Sequence, residues 1–218
     1  MNKLLFCAFL SFHFFVTQNK PFTIMVNPAG DAKQIGRKID GYFERGITLQ
    51  FFQELKKELY KHYSEATLHV ISTRFAGDTI EELQNANFAN RLGIDLYLSI
   101  HFYYEEKTKP DVFLYYFSYG NEFITQKPDL YFWPYDEAYL INFDATKKSI
   151  ETMQRVLESK KYAYQFTVYG IFKLPFAPLI GIVAPAIGIE IGLKNKDNWR
   201  QYVEPIAIAL ISLINNNP

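Results

Sequence analysis

Apolar positions recur along this chain with two different spacings, and the changes from one to the other mark out its elements. Residues 22–27, FTIMVN, form a short β-type run broken by Pro28 and Gly30. In residues 44–63, Ile47, Phe51, Leu55 and Leu59 fall four apart with Lys and Glu between them, which predicts an amphipathic helix. TLHVIST (67–73) reads as a strand. GDTIEELQNANFANRLG (77–93) reads as a second helix, with Asp78 as N-cap, acids in its first turn and Gly93 as its stop.

DLYLSIH (95–101) and VFLYYFSY (112–119) return to strand character. Their apolar runs are continuous rather than alternating, as in strands covered on both faces. Residues 120–144 have no clear period, carry two prolines and many aromatic rings, and predict a long loop or lid. Ile150, Met153 and Leu157 predict a third helix over 147–161, APAIGIEIG (184–192) a last buried strand, and 198–214 a closing helix with Pro205 in its first turn. Strands alternating with helices predict a single three-layer α/β domain, with a mixed, mostly parallel sheet and helices on both faces.

Composition narrows the function classes. With 218 residues and 49% hydrophobic content, the chain can build one sizeable core without disulfides. Its 23 basic and 23 acidic residues balance, which removes the argument for nucleic acid or an anionic membrane surface as partner. Most of the 20 Phe and 16 Tyr belong in the core, with a minority left to line a groove.

The N-terminus, MNKLLFCAFLSFHFFVTQNKPF, places one Lys before an apolar run from Leu4 to Val16. That pattern fits a secretory signal or an N-terminal anchor over 1–20, and the run is too short to span a membrane. The expected mature domain, 21–218, contains no membrane span and no cysteine, because Cys7 lies inside the leader. Cleavage after Gln18 would leave 22 basic against 23 acidic residues, a net −1. The expected location is outside the cytoplasm, in the periplasm or cell envelope. A chain without thiols has neither thiol catalysis nor thiolate-held zinc.

Three ionisable residues sit where buried charge is hardest to accommodate. His101 ends a core strand, Glu190 lies within AIGIEIGL, and Glu44 opens the first helix after the turn DGYFERGITL. Each has an ordinary reading: a satisfied structural histidine, a protonated or paired carboxylate, a partner to the helix dipole. Together, a His and a Glu suit metal ligation, and a second carboxylate suits proton transfer. His62 and His69 read as surface or packing residues.

Five stretches, in order, resemble a known family: IMVNPAGDA, GYFERGITL, VISTRFAGDTIEEL, ANRLGIDLYLSIH and PAIGIEIGLKNKDN. They are similar to the type 3, zinc-dependent N-acetylmuramoyl-L-alanine amidases, which cut between muramic acid and the first alanine of peptidoglycan's stem peptide. The resemblance runs from about residue 22 to 214 and is weakest over 105–180. It implies Zn2+ as cofactor, Glu44 and His101 as metal ligands, Glu190 as the catalytic carboxylate, and peptidoglycan or muropeptides as partner.

The sequence departs from that pattern at three places. Gly30 stands where the family's first histidine ligand belongs, Asn27 where it has Asp, and Asn85 where Arg is usual. The neighbouring Asp31 is the candidate replacement ligand, and an Asp, Glu, His set would be harder and more anionic than His, Glu, His. Two functions from different classes follow. One is a divergent amidase; the other is an inactive amidase-fold protein acting as a wall-binding or regulatory module. A third reading is an exported α/β domain whose likeness reports ancestry alone.

Overall fold

The computed structural model describes residues 20–81, 83–119 and 134–216. The expected leader, up to residue 19, and residues 120–133 of the expected loop lie outside the described residues. Eight strands and four α-helices follow in the order β1 (Phe22–Pro28), β2 (Lys38–Ile39), β3 (Tyr42–Phe43), α1 (Glu44–Leu59), β4 (Leu68–Ser72), α2 (Gln84–Leu92), β5 (Leu96–Tyr104), β6 (Asp111–Phe117), α3 (Phe143–Leu157), β7 (Thr167–Leu174), β8 (Ala186–Leu193) and α4 (Val203–Asn215). A six-stranded sheet runs β4-β1-β5-β8-β6-β7, and β2 pairs with β3 as a separate two-stranded ribbon. β4, β1, β5 and β8 are parallel to one another; β6 is antiparallel to β8, and β7 is parallel to β6. This is the mixed, mostly parallel sheet that the apolar runs predict.

Strand parity divides the two faces. Ile24 and Val26 of β1, Leu96, Leu98, Ile100 and Phe102 of β5, and Ile187, Ile189 and Ile191 of β8 point into the main core under α1, α3 and α4. Phe51 of α1 meets Phe102 edge-on at 5.4 Å and Trp199 at 6.2 Å. The other face carries Met25, Tyr97, Phe117 and Ala186 under α2 and the turns around Leu179. Among the described residues helix α2 covers only part of it, and the stretch past Ser99 on β5 and Gly188 on β8 carries the candidate site.

Some boundaries differ from the pattern reading. Helix α2 begins at Gln84, after Leu83 in the left-handed region. Asp78 does not cap it: Asp78 Oδ2 accepts the Phe75 N–H at 2.7 Å, and the Ile80 N–H is drawn to Asp31 Oδ2 at 2.9 Å. The segment before Gln84 is thus held in a loop by two carboxylates. Helix α3 starts and ends earlier than 147–161 because Phe143 packs edge-on against Tyr116 and Tyr139 and fixes its first turn. Residues 138–142, expected in loop, form a short 3-10 helix leading into it. Thr167–Leu174, unmarked by period, adds β7 at the sheet edge. Pro205 falls in the first turn of α4, as expected. Among the described residues no helix is long and apolar enough to cross a membrane.

Candidate active site

The parallel register of β5 and β8 sets His101 opposite Glu190, and β6 brings Phe113 opposite Glu190 from the other side. Parity sends the neighbours Ile100, Phe102, Ile189 and Ile191 into the core, so His101 and Glu190 emerge on the opposite face. Glu190 is the one residue of β8 that is not fully buried, and His101 is the first such residue along β5. Gly188, two residues before Glu190, lets a ring lie against the strand: a Cβ there would stand 2.6 Å from Phe176 Cε1. Phe176 therefore stacks on Tyr115 at 4.9 Å and meets the His101 ring edge-on at 5.1 Å.

Glu44 reaches the same place from α1. It is the helix's first residue and is buried, with Oε1 accepting the Phe102 N–H at 2.9 Å and Oε2 the Arg37 N–H at 3.0 Å. The Arg37 carbonyl accepts the Glu44 N–H at 2.8 Å, so the loop and the helix start hold each other reciprocally. Burial pushes the Glu44 carboxyl above the ordinary range, while the two backbone N–H groups and the Arg37 charge oppose it. Its Oε1 lies 3.7 Å from His101 Nδ1.

The other ring nitrogen of His101 belongs to a buried chain of polar groups. Asn27 Oδ1 accepts from Thr73 Oγ1 at 2.9 Å and from Asn85 Nδ2 at 3.2 Å, which turns Asn27 Nδ2 to Ser99 Oγ at 3.0 Å. Ser99 is fully buried, so its hydroxyl proton needs an acceptor, and among the described residues that is His101 Nε2 at 2.9 Å. The proton of neutral His101 is therefore on Nδ1, facing Glu44. Burial lowers the imidazole pKa to about 4; the Glu190 charge works against that and the Arg37 charge with it.

Glu190 is held on both oxygens. Oε1 pairs with Arg37 Nη1 at 2.5 Å, and Oε2 accepts the Tyr115 hydroxyl at 2.9 Å. Burial and that hydrogen bond push the Tyr115 phenol well above its usual value. Arg37, Ser99, Tyr115 and Phe176 are not picked out by the sequence pattern. Parity puts Tyr115 on one strand face with Phe113, but only the pairing of β6 with β8 brings that face to Glu190. Arg37 lies in an aperiodic loop and had no such signal.

The structure brings Glu44, His101 and Glu190 together but not the fourth candidate. Asp31 is buried in its own turn, with Oδ1 accepting the Lys33 N–H at 2.7 Å and the Gln34 N–H at 2.5 Å, and Oδ2 the Ile80 N–H. Burial works to raise its carboxyl, but these three donors outweigh it and hold the pKa below the usual value. Gly30 has φ +77°, and a Cβ there would lie 2.8 Å from Arg45 Cβ and 3.1 Å from the Gln34 carbonyl oxygen. A side chain at this position meets the start of α1.

Zinc in a catalytic site takes about three protein ligands and one open position. Here Glu44 and His101 Nδ1 face each other and offer two ligands at most, because Gly30 has no donor and Asp31 is engaged elsewhere. Among the described residues no group of three or more His, Cys, Asp or Glu side chains is arranged to hold a metal ion. This donor set does not fit zinc.

Comparison with known proteins gives one family. The family model described as N-acetylmuramoyl-L-alanine amidase matches residues 24–207. Similar solved structures include an N-acetylmuramoyl-L-alanine amidase from Clostridium difficile 630, at 19% identity and TM-score 0.66, covering 91% of this chain and 99% of the other. The catalytic domain of CwlV from Bacillus (Paenibacillus) polymyxa var. colistinus is 17% identical with TM-score 0.62, covering 89% and 98%. The amidase of Mycobacterium smegmatis is 13% identical with TM-score 0.66, covering 90% and 98%. At these identities the likeness speaks for the fold. No curated protein matches the sequence.

Proposed function

Because the chain belongs to the N-acetylmuramoyl-L-alanine amidase family, we propose that it recognises the muramoyl–alanine linkage of peptidoglycan, in the cell envelope, without zinc-dependent hydrolysis. The observation that carries this reading is Gly30, which puts no donor at the first ligand position and leaves no space for one. Glu44, His101 and Glu190 would then line a binding site rather than complete a metal centre.

The chemistry of such a site comes from its own residues. Neutral His101 keeps its Nδ1 proton toward Glu44. Tyr115 and Arg37 fix the Glu190 carboxylate, and Phe176 over Tyr115 offers a flat apolar wall. A muropeptide presents amide groups, a lactyl carbonyl and sugar faces, which suit donors, acceptors and rings respectively.

A second reading, metal-assisted hydrolysis of the same amide with Glu190 taking the proton, is favoured by the convergence of Glu44, His101 and Glu190. One experiment separates the two. Purified full-length protein is incubated with intact peptidoglycan with and without added zinc, and both retention on the sacculus and released stem peptide are measured. The binding reading expects retention and no release above the blank. Zinc-dependent release that disappears in Glu190→Gln would replace it with the hydrolytic one.

A further inference from the structure

Two carboxylates and an imidazole gathered in a largely desolvated corner need a positive charge, because unneutralised buried anions are costly. We infer that Arg37 holds the metal's place: its guanidinium is the resident cation of the Glu44–His101–Glu190 cluster, so the protein carries an internal cation where its family carries a divalent ion. The inference concerns the site of the proposed function and rests on that reading, but it adds a residue and a role.

The contacts of Arg37 support it. Arg37 is tied to both carboxylates, through Nη1 to Glu190 Oε1 at 2.5 Å and through its backbone N–H to Glu44 Oε2 at 3.0 Å. Nη1 also lies 3.4 Å from the Phe102 carbonyl oxygen, next to His101 in the chain, and the guanidinium carbon lies 6.0 Å from the centre of the Tyr103 ring. Among the described residues, no other cation pairs with Glu190. The field of Arg37 is felt by Glu44, His101 and Tyr115 together.

The place Arg37 comes from supports it too. One connection, between β1 and β2, carries both Gly30 and Arg37. The segment that removes a metal ligand therefore also supplies a charge. The Arg37 N–H donates to Glu44 Oε2 and the Arg37 carbonyl accepts the Glu44 N–H, which fixes the point from which the side chain leaves. A guanidinium keeps its proton at any working pH, so it can bind a carbonyl or carboxylate oxygen but cannot activate a water as a metal does. With its side chain half-exposed, Arg37 faces an incoming ligand from the solvent side.

The test is metal binding by full-length wild type, Arg37→Ala, Arg37→Gln and Arg37→Lys, using zinc calorimetry and cobalt absorption spectra, with circular dichroism to confirm folding. Wild type and Arg37→Lys should show no saturable binding. The two neutral variants should show weak one-to-one binding, about tenfold or more tighter than any wild-type signal, because a repelling unit charge has gone while Glu44, His101 and Glu190 stay in place. One-to-one zinc binding by wild type would overturn the inference, and that arm stands whether or not the variants fold. Folded neutral variants that bind no better than wild type would overturn it too, while leaving peptidoglycan recognition untouched. Failure to bind peptidoglycan with the metal results as expected would sink the functional reading alone.

Discussion

His101 and Glu190 stand opposite each other on adjacent parallel strands, in a register that runs unbroken from Tyr97 and Ala186 to Tyr104 and Leu193. Neither side chain could be moved alone to the core face, since a one-residue slip would invert every position along β5 or β8. The isoleucines and leucines between them therefore fix the site. Burying Ile100, Phe102, Ile189 and Ile191 forces the imidazole and the carboxylate out on the same side.

That placement predicts a pH effect. With its pKa lowered from 6.5 to about 4, folded His101 stays neutral where the unfolded chain takes up a proton. Stability should fall as pH drops from about 6.5 toward 4, by on the order of 3 kcal/mol at most from this group. The raised Glu44 carboxyl has the opposite sign, gaining a proton when folded. Urea denaturation at several pH values, wild type against His101→Gln, isolates the imidazole's share. Equal slopes for the two proteins would contradict it.

Replacing Gly30 should be costly. Gly30→Ala places a Cβ against Arg45 and asks an L-residue to adopt φ +77°. A loss of about 1–3 kcal/mol is expected in chemical denaturation. Gly30→His should be destabilised at least as much and should gain no zinc affinity by calorimetry, since the loop must move before the ring can be placed.

The tautomer of His101 depends on Asn27, one of the departures from the family pattern. In Asn27→Asp the donor to Ser99 is lost, so the serine hydroxyl turns to the new carboxylate and His101 Nε2 must carry the proton. Imidazole nitrogen chemical shifts should show the Nδ1–H form in wild type and the Nε2–H form in the variant. Adding Asn85→Arg should recover part of the lost stability. Asn85 already bonds Asn27, so an ion pair would replace an amide pair.

Glu190→Gln keeps the shape of the side chain and removes its charge. It should weaken retention on peptidoglycan, because the Arg37 guanidinium loses its anchor, and cost no more than about 1 kcal/mol in stability, since Arg37 is half-exposed. Tyr115→Phe should change retention less, removing one neutral donor to Oε2. Sedimentation with sacculi checks both.

The sequence by itself determined the layers and the place of the site. Continuous apolar runs in β5 and β8 announced doubly covered strands, and His101, Glu190 and Glu44 interrupt apolar or helical patterns in ways a period can register. Only the tertiary structure decided what those residues meet. Arg37 and Asp31 lie in the same aperiodic loop, where spacing says nothing about which one turns inward. Backbone amides at Lys33, Gln34 and Ile80 captured Asp31, and the clasp with Glu44 delivered Arg37. Local pattern specifies which face a residue occupies. Which charge neutralises which is settled by contacts between segments far apart in the chain, here Arg37 on the β1–β2 loop and Glu190 on β8.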